Sequence, residues 1–260
     1  MKNSWRIFFF FFIFVSPLIC SDKRSSISLS VFGEDAFFQY YKPIYAIIGN
    51  EDAKIQISFK YRLLDAYNFF LGFTQRMFWD VFDNSSPVKR LDYNPELFWR
   101  FYLAKKFIEY VDVGIYEHLS NGQAGIYSRS LDGGYLRINM KRKIKGLNVV
   151  MSIKLFKYYV TGSHTKKIKD YIGYSEIGVS AEQFRAPLLE HIRIYIKLIS
   201  PGKFSHNCWK RGAREFGILF KRTKTPFSPD IYFQVYDGYA ESLLEFSKRK
   251  IVYRIGLLFE

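Results

Sequence analysis

The feature that most constrains the fold is a period-two alternation of polar and large apolar residues that recurs along the chain. Residues 54–63 (KIQISFKYRL) alternate without a break. Residues 191–198 and 251–257 repeat the pattern, and residues 147–155 follow it less regularly. Successive side chains of a β-strand point to opposite faces, so each run predicts a strand with one polar and one apolar face.

Charges in the middle of the polar faces and aromatic rings on the apolar faces favour a transmembrane antiparallel β-barrel over a soluble β-sandwich. Aromatic residues make up 20% of the chain, and its net charge is +15. A basic, aromatic-rich chain is also typical of nucleic-acid-binding proteins, but these have their basic residues on one accessible face. Here the basic residues alternate through strands, so no nucleic-acid partner is expected.

We predict a single all-β domain of about twelve strands. The candidate strands lie near residues 27–33, 42–48, 53–64, 67–80, 96–105, 109–120, 132–141, 147–159, 171–180, 189–199, 214–222 and 230–259, and the last span is long enough to hold two strands.

The N-terminus is typical of a secretory signal peptide. Lys2 and Arg6 precede an apolar run at residues 7–15, which is too short to span a bilayer as a helix. We therefore predict a signal peptide over residues 1–20 and an exported barrel domain over residues 21–260.

The two cysteines give the exported chain no predicted disulfide. Cys20 lies at the end of the signal peptide, where a lipoprotein cysteine would stand, but Leu18-Ile19 is an unfavourable approach to a lipidation site. Cleavage near residue 20 leaves Cys208 without a partner in the same chain.

Residues 116–132 contain the parts of a nucleophilic hydrolase. His118 and Ser120 are two residues apart and share a face of any strand that contains both, and Asp132 follows a glycine-containing loop. A hydroxyl, an imidazole and a carboxylate together can perform nucleophilic catalysis. Because these residue types are common, a non-catalytic barrel, porin-like or structural, remains the alternative.

The same region closely resembles the outer-membrane phospholipase A family. Residues 116–122 (YEHLSNG), followed by Ser128-Arg129-Ser130, resemble the family's His-x-Ser-Asn-Gly motif and downstream Ser-Arg-Ser. Further matching segments occur in the family's order at residues 49–54, 58–61, 74–75, 79, 85–87, 93–96 and 236–243. The resemblance extends from near residue 40 to the C-terminus.

The resemblance implies a twelve-stranded barrel in the bacterial outer membrane. It also implies calcium-dependent hydrolysis of phospholipid acyl esters, of the phospholipase A1/A2 and lysophospholipase type, by a homodimer. By the same match Ser120 is the nucleophile, His118 is the base, and the backbone N–H of Gly122 binds the oxyanion. Asp132 takes the third catalytic position, where the family usually has Asn.

The resemblance also implies a calcium (Ca2+) site. Its ligands would be the backbone carbonyl of Gln123, the side chain of Ser128 and Ser85 of the partner subunit, with Gln75 as a supporting residue. Gly125 stands where the family often has an acidic residue, so the resemblance does not imply a second calcium site in this chain.

Strand parity leaves the direction of the catalytic side chains open. An unbroken strand would place His118 and Ser120 on the same face as Asp112, opposite Val113 and Ile115, which look more suited to lipid. The resemblance instead implies catalytic groups on the outside of the barrel, which would require a bulge in the strand.

Overall fold

The computed structural model describes residues 38–64, 67–103, 107–160, 163–186, 189–202, 211–221 and 229–259. All of the described residues belong to one compact unit, which spans residues 32–260. The expected signal peptide, both cysteines and the strand expected near 27–33 lie outside the described residues.

The described residues form one antiparallel sheet that closes on itself. Strands β3 to β13 pair in chain order, β13 pairs with β2, and β2 pairs back with β3. The strands are β1 (Phe38–Tyr40), β2 (Ile44–Gly49), β3 (Ala53–Leu64), β4 (Phe69–Trp79), β5 (Val88–Tyr102), β6 (Ile108–Ser120), β7 (Ser130–Ile144), β8 (Leu147–Val160), β9 (Ser175–Ala186), β10 (Leu189–Ile199), β11 (Ala213–Lys221), β12 (Asp230–Gly238) and β13 (Lys250–Phe259).

Strands β1 and β2 share one position in the barrel. Both pair with β3, β1 opposite its residues 59–61 and β2 opposite its residues 53–56. The described part of the chain therefore forms a closed, twelve-stranded antiparallel barrel, which confirms the predicted fold class. The largest boundary error is at β5, which begins at Val88 and not near residue 96. Its Asn94-Pro95 pair is typical of turns, but here it lies within the strand.

The alternation in the sequence separates a polar interior from an apolar exterior. In β5 the side chains of Arg90, Asp92 and Glu96 are buried inside the barrel, whereas Leu97 and Trp99 are half-buried on its outer face. Large apolar residues are also exposed along other strands, among them Ile57, Leu155, Ile194, Ile196, Tyr253 and Ile255. This distribution is that of a barrel whose outer face contacts lipid.

Ion pairs fill much of the barrel interior. Arg254 donates hydrogen bonds to Asp52 at 2.6 Å and to Glu241 at 2.6 Å, and Lys54 also donates to Glu241 at 3.1 Å. Removing one partner of a buried pair leaves an uncompensated charge, at a cost of about 3–5 kcal/mol. These pairs therefore make the interior intolerant of single charge losses.

An apolar cluster covers the interior at the end where β6 finishes. Leu131 on β7 packs with Ile168 of a 3₁₀ helix, Ser163–Asp170, and with Leu243 and Phe246 of the β12–β13 connection. The backbone N–H of Leu243 also donates to the buried carboxylate of Asp92 at 3.1 Å. Below the cluster lies a polar cavity of about 180 Å³.

No helix among the described residues is long and apolar enough to cross a membrane.

Candidate active site

A β-bulge in β6 sets the direction of the candidate catalytic side chains, His118 and Ser120. Gly114 pairs with Tyr135 and Glu117 pairs with Gly133, so three steps along β6 oppose two along β7. The extra residue reverses the facing: Gly114 and then Glu117 are buried inside. A Cβ at Gly114 would lie 2.3 Å from the Tyr135 ring, so the glycine makes room for that ring at the bulge.

His118 and Ser120 consequently lie on the outer face of the barrel. Leu119 between them packs against the interior apolar cluster. Unbroken parity, which grouped Asp112 with His118, is therefore wrong beyond the bulge, because Asp112 is fully buried inside.

Asp132 lies directly across from His118 on β7, and the two side chains form a hydrogen bond. The distance from His118 Nδ1 to Asp132 Oδ1 is 2.6 Å. The hydroxyl of Tyr116 donates to the same carboxylate oxygen at 3.0 Å. The side chains of His118 and Asp132 are 29% and 25% exposed, so the pair is accessible from the outer surface. Tyr116 belongs to the sequence motif, but no role had been predicted for it.

Ser120 lies in a row of outward-facing residues that crosses three strands. It pairs with Tyr93 of β5, which in turn pairs with Gln75 of β4. The predicted supporting residue Gln75 thus lies on the same face as Ser120, with Tyr93 between them. Within the described part of the chain, the Ser120 hydroxyl forms no hydrogen bond with His118. Such catalytic hydrogen bonds often tighten only when substrate binds.

The loop after Ser120 is organised by Asn121, which together with Gly122 forms an Asn-Gly turn signal in the sequence. The buried Asn121 side chain accepts a hydrogen bond from the backbone N–H of Arg129 at 2.9 Å and donates to the carbonyl of Tyr127 at 2.8 Å. An Asn-Gly pair directly after a strand is the signal that indicates such a side-chain-stabilised turn.

Gly122 follows in a left-handed conformation with φ +65. A Cβ there would lie 2.9 Å from the Tyr93 ring. Both the backbone conformation and the close approach therefore favour glycine at this position.

The predicted calcium ligands lie at the same end of the barrel. Gln123 and Ser128 are on one exposed loop, and the Gln123 side chain donates to the carbonyl of Lys89 at 3.3 Å. This contact joins the loop to the start of β5, which follows the turn containing Ser85. The described residues contain no group of three His, Cys, Asp or Glu side chains able to hold a metal. A set of neutral oxygen donors fits calcium and does not fit zinc.

Sequence comparison identifies a family and several relatives. A family model described as Phospholipase A1 matches residues 34–259. Phospholipase A1 of Salmonella typhimurium is 28% identical over 221 residues, covering 80% of this chain and 69% of that protein. Phospholipase A1 of Escherichia coli K12 is 27% identical over 221 residues, with the same two shares.

Structural comparison finds the same barrel in solved structures. Outer membrane phospholipase A from Escherichia coli matches with a TM-score of 0.72 and 22% identity, covering 86% of this chain and 98% of that one. The Salmonella typhi outer membrane phospholipase dimer with bound calcium matches with a TM-score of 0.73 and 23% identity, covering 92% and 99%. At these identities the matches support the fold.

Proposed function

The chain belongs to the phospholipase A1 family, and from this premise we propose that it is a calcium-dependent outer-membrane phospholipase that hydrolyses the acyl ester bonds of glycerophospholipids. The proposal covers phospholipase A1, phospholipase A2 and lysophospholipase activity. It assigns Ser120 as the nucleophile, His118 as the general base and Asp132 as the third catalytic residue.

The observation that carries this proposal is the His118–Asp132 pair on the outer wall of the barrel, beside Ser120. When Asp132 accepts a hydrogen bond from the Nδ1–H group, the Nε2 atom of His118 is left as the base that takes the Ser120 proton during attack on the ester. The tetrahedral intermediate then collapses: the ester C–O bond breaks, and the leaving alcohol takes the proton from His118. Water hydrolyses the acyl-enzyme, with His118 again acting as base, and the fatty acid is released.

The oxyanion of the tetrahedral intermediate needs a donor close to Ser120. The backbone N–H of Gly122 is suited to this role, because in the described structure it donates no hydrogen bond and Gly122 is exposed. A donor of this kind typically contributes about 2.7–4 kcal/mol of transition-state stabilisation.

Calcium would be held by the carbonyl of Gln123, the side chain of Ser128 and Ser85 of the partner subunit. When bound, the ion supplies positive charge that stabilises the developing oxyanion. Calcium takes about six to eight oxygen ligands, more than this loop supplies, so a site shared between two subunits explains why the active form would be a homodimer. A calcium-bound dimer of the Salmonella typhi phospholipase supports this reading.

The position of the site favours a substrate that arrives from the membrane. Tyr116 and Ile115, beside the catalytic pair, are 43% and 49% exposed on the apolar outer face. An acyl chain can lie against this face while its ester reaches Ser120. The proposal also includes export by a signal peptide over residues 1–20, with the barrel domain over residues 21–260.

The test is hydrolysis of defined phospholipids by the purified protein in detergent with calcium. We expect fatty acid release by the wild type, none above background by Ser120→Ala, and wild-type rates for Ser152→Ala, a half-buried serine of β8 far from the site. An acyl-serine adduct should map to Ser120. Equal rates for wild type and Ser120→Ala would instead favour a non-catalytic barrel.

A further inference from the structure

We infer that Asn94, a buried residue inside the barrel, is a positioning residue for His118, and that its side-chain amide replaces a backbone hydrogen bond that β5 cannot supply. The inference rests on the proposed function, because it concerns the geometry of the proposed base.

The missing hydrogen bond results from the position of Pro95. Tyr93 pairs with Ser120 and Glu96 pairs with Glu117, so Pro95 stands opposite His118 in the same register. Proline has no N–H, and a proline within a sheet therefore removes a ladder hydrogen bond. The strand pairing is thus weakened directly opposite the catalytic histidine.

Asn94 compensates from the interior. Its Nδ2 atom donates a hydrogen bond to the backbone carbonyl of His118 at 3.2 Å. Without this donor the His118 carbonyl would be left unsatisfied on the β5 side, and this segment of β6 would be positioned by its pairing with β7 alone. The side-chain amide thus attaches the catalytic segment of β6 to β5.

Two charged neighbours fix the orientation of the Asn94 amide. Lys42 Nζ donates to Asn94 Oδ1 at 3.0 Å, and Asn94 Nδ2 donates to Glu117 Oε1 at 3.3 Å. An ammonium requires the amide oxygen and a carboxylate requires the amide nitrogen, so the reversed amide is disfavoured on both sides.

Glu117 is itself held by other interior groups. It is 1% exposed and accepts hydrogen bonds from Lys154 Nζ at 2.6 Å and from the Tyr158 hydroxyl at 2.9 Å. It adjoins His118 in the chain but lies on the opposite face of the barrel wall. The interior network of Asn94, Glu117 and Lys154 therefore contacts the backbone of the proposed base, His118, and does not contact the substrate.

The experiment compares kcat and KM of Asn94→Leu, which removes the donor at nearly constant volume, with those of the wild type. Lys42 keeps its partner Glu96 and Glu117 keeps Lys154, so the variant should fold. We expect kcat to fall about 10- to 100-fold, as for a slightly misplaced catalytic group, with KM nearly unchanged. Pro95→Leu in the same chain restores a backbone N–H opposite His118, and should recover most of kcat.

Gln56→Leu is the matched control. Gln56 is another buried interior amide that donates to a backbone carbonyl, that of Pro43, at 2.7 Å, on a strand three positions from β6. It should lower the melting temperature about as much as Asn94→Leu and leave kcat unchanged. Wild-type kcat in Asn94→Leu, an equal loss in Gln56→Leu, or no recovery with Pro95→Leu would overturn the inference.

A second measurement separates this inference from the proposed function. In protein labelled with ¹⁵N-histidine, the downfield Nδ1 proton of His118 bonded to Asp132 should be lost or broadened in Asn94→Leu and retained in Gln56→Leu. A wild type without phospholipase activity would contradict the proposed function alone. An unchanged Nδ1 signal in Asn94→Leu would contradict the positioning role whatever the activity.

Discussion

Replacement of Asp132 by asparagine tests the third member of the proposed triad most directly. Asp132 Oδ1 accepts hydrogen bonds from His118 Nδ1 at 2.6 Å and from the Tyr116 hydroxyl at 3.0 Å. The amide oxygen of asparagine can accept both, so His118 keeps its tautomer. What is lost is the negative charge that stabilises the imidazolium formed during attack.

The magnitude follows from the kind of hydrogen bond that is changed. A hydrogen bond to a charged group contributes about 1.5–3 kcal/mol, against about 1 kcal/mol for a neutral one. Because the His118–Asp132 pair is partly exposed, we take about 1–2 kcal/mol as the difference between the charged and the neutral hydrogen bond. This difference corresponds to a loss of roughly 5- to 30-fold in kcat. Asp132→Asn should therefore retain substantial activity.

Tyr116 gives this prediction a second part. Its hydroxyl donates toward Oδ1 and thereby favours the amide orientation in which oxygen faces His118. A reversed amide would favour the wrong tautomer, which costs about 10⁴-fold in serine proteases. Tyr116→Phe should therefore be mild in the wild type but severe in Asp132→Asn.

The assay is kcat for a defined phospholipid in detergent, measured for wild type, both single variants and the double variant. Melting temperatures and calcium affinities serve as controls for folding and metal binding. A loss of more than about 1,000-fold in Asp132→Asn, with both controls unchanged, would refute the argument that the amide oxygen can replace the carboxylate.

Three further predictions concern the metal, the loop and the barrel interior. A chelator should abolish turnover, and calcium but not zinc should restore it, because the proposed ligands are neutral oxygens; full activity with chelator present would contradict this. Gly122→Ala should lower kcat at least about tenfold, owing to its left-handed φ and the ring beside it, whereas Gly125→Ala, with φ +64 but no atom within 4 Å of the added Cβ, should share only the strain. Burial alone would raise the pKa of Glu241, but Lys54 and Arg254 lower that pKa from 4.5 to about 2. Because the pKa is lower in the folded state, ionised Glu241 stabilises the protein above pH 4.5, and this stabilisation is lost as the pH falls toward 2. The melting temperature should therefore decline over that range, and less steeply in Glu241→Gln.

Much of the architecture could be predicted from local pattern. Alternation in residues 54–63 and 191–198 predicted strands that the structure places at β3 and β10 with nearly the same bounds. The start of β5 could not be predicted in this way, because Asn94 and Pro95 are turn-forming residues, and only pairing with β4 and β6 keeps them in a strand.

The candidate site could be predicted in its residue types but only partly in its support. The motif contained His118 and Ser120, and Asp132 proved to lie directly opposite His118. The hydrogen bond from Asn94 to the His118 carbonyl could not be predicted, because a side chain that replaces a backbone hydrogen bond leaves no periodic signal in the sequence.

The sequence by itself determined that the chain forms a barrel with a charged interior, since alternation is a local property of each strand. It also indicated the candidate catalytic residues. Only the tertiary structure decided that His118 and Ser120 face outward, because that depends on a bulge defined by the pairing of β6 with two other strands. A one-residue change of register reverses every side chain beyond it, and the register is set by contacts between segments distant in the chain.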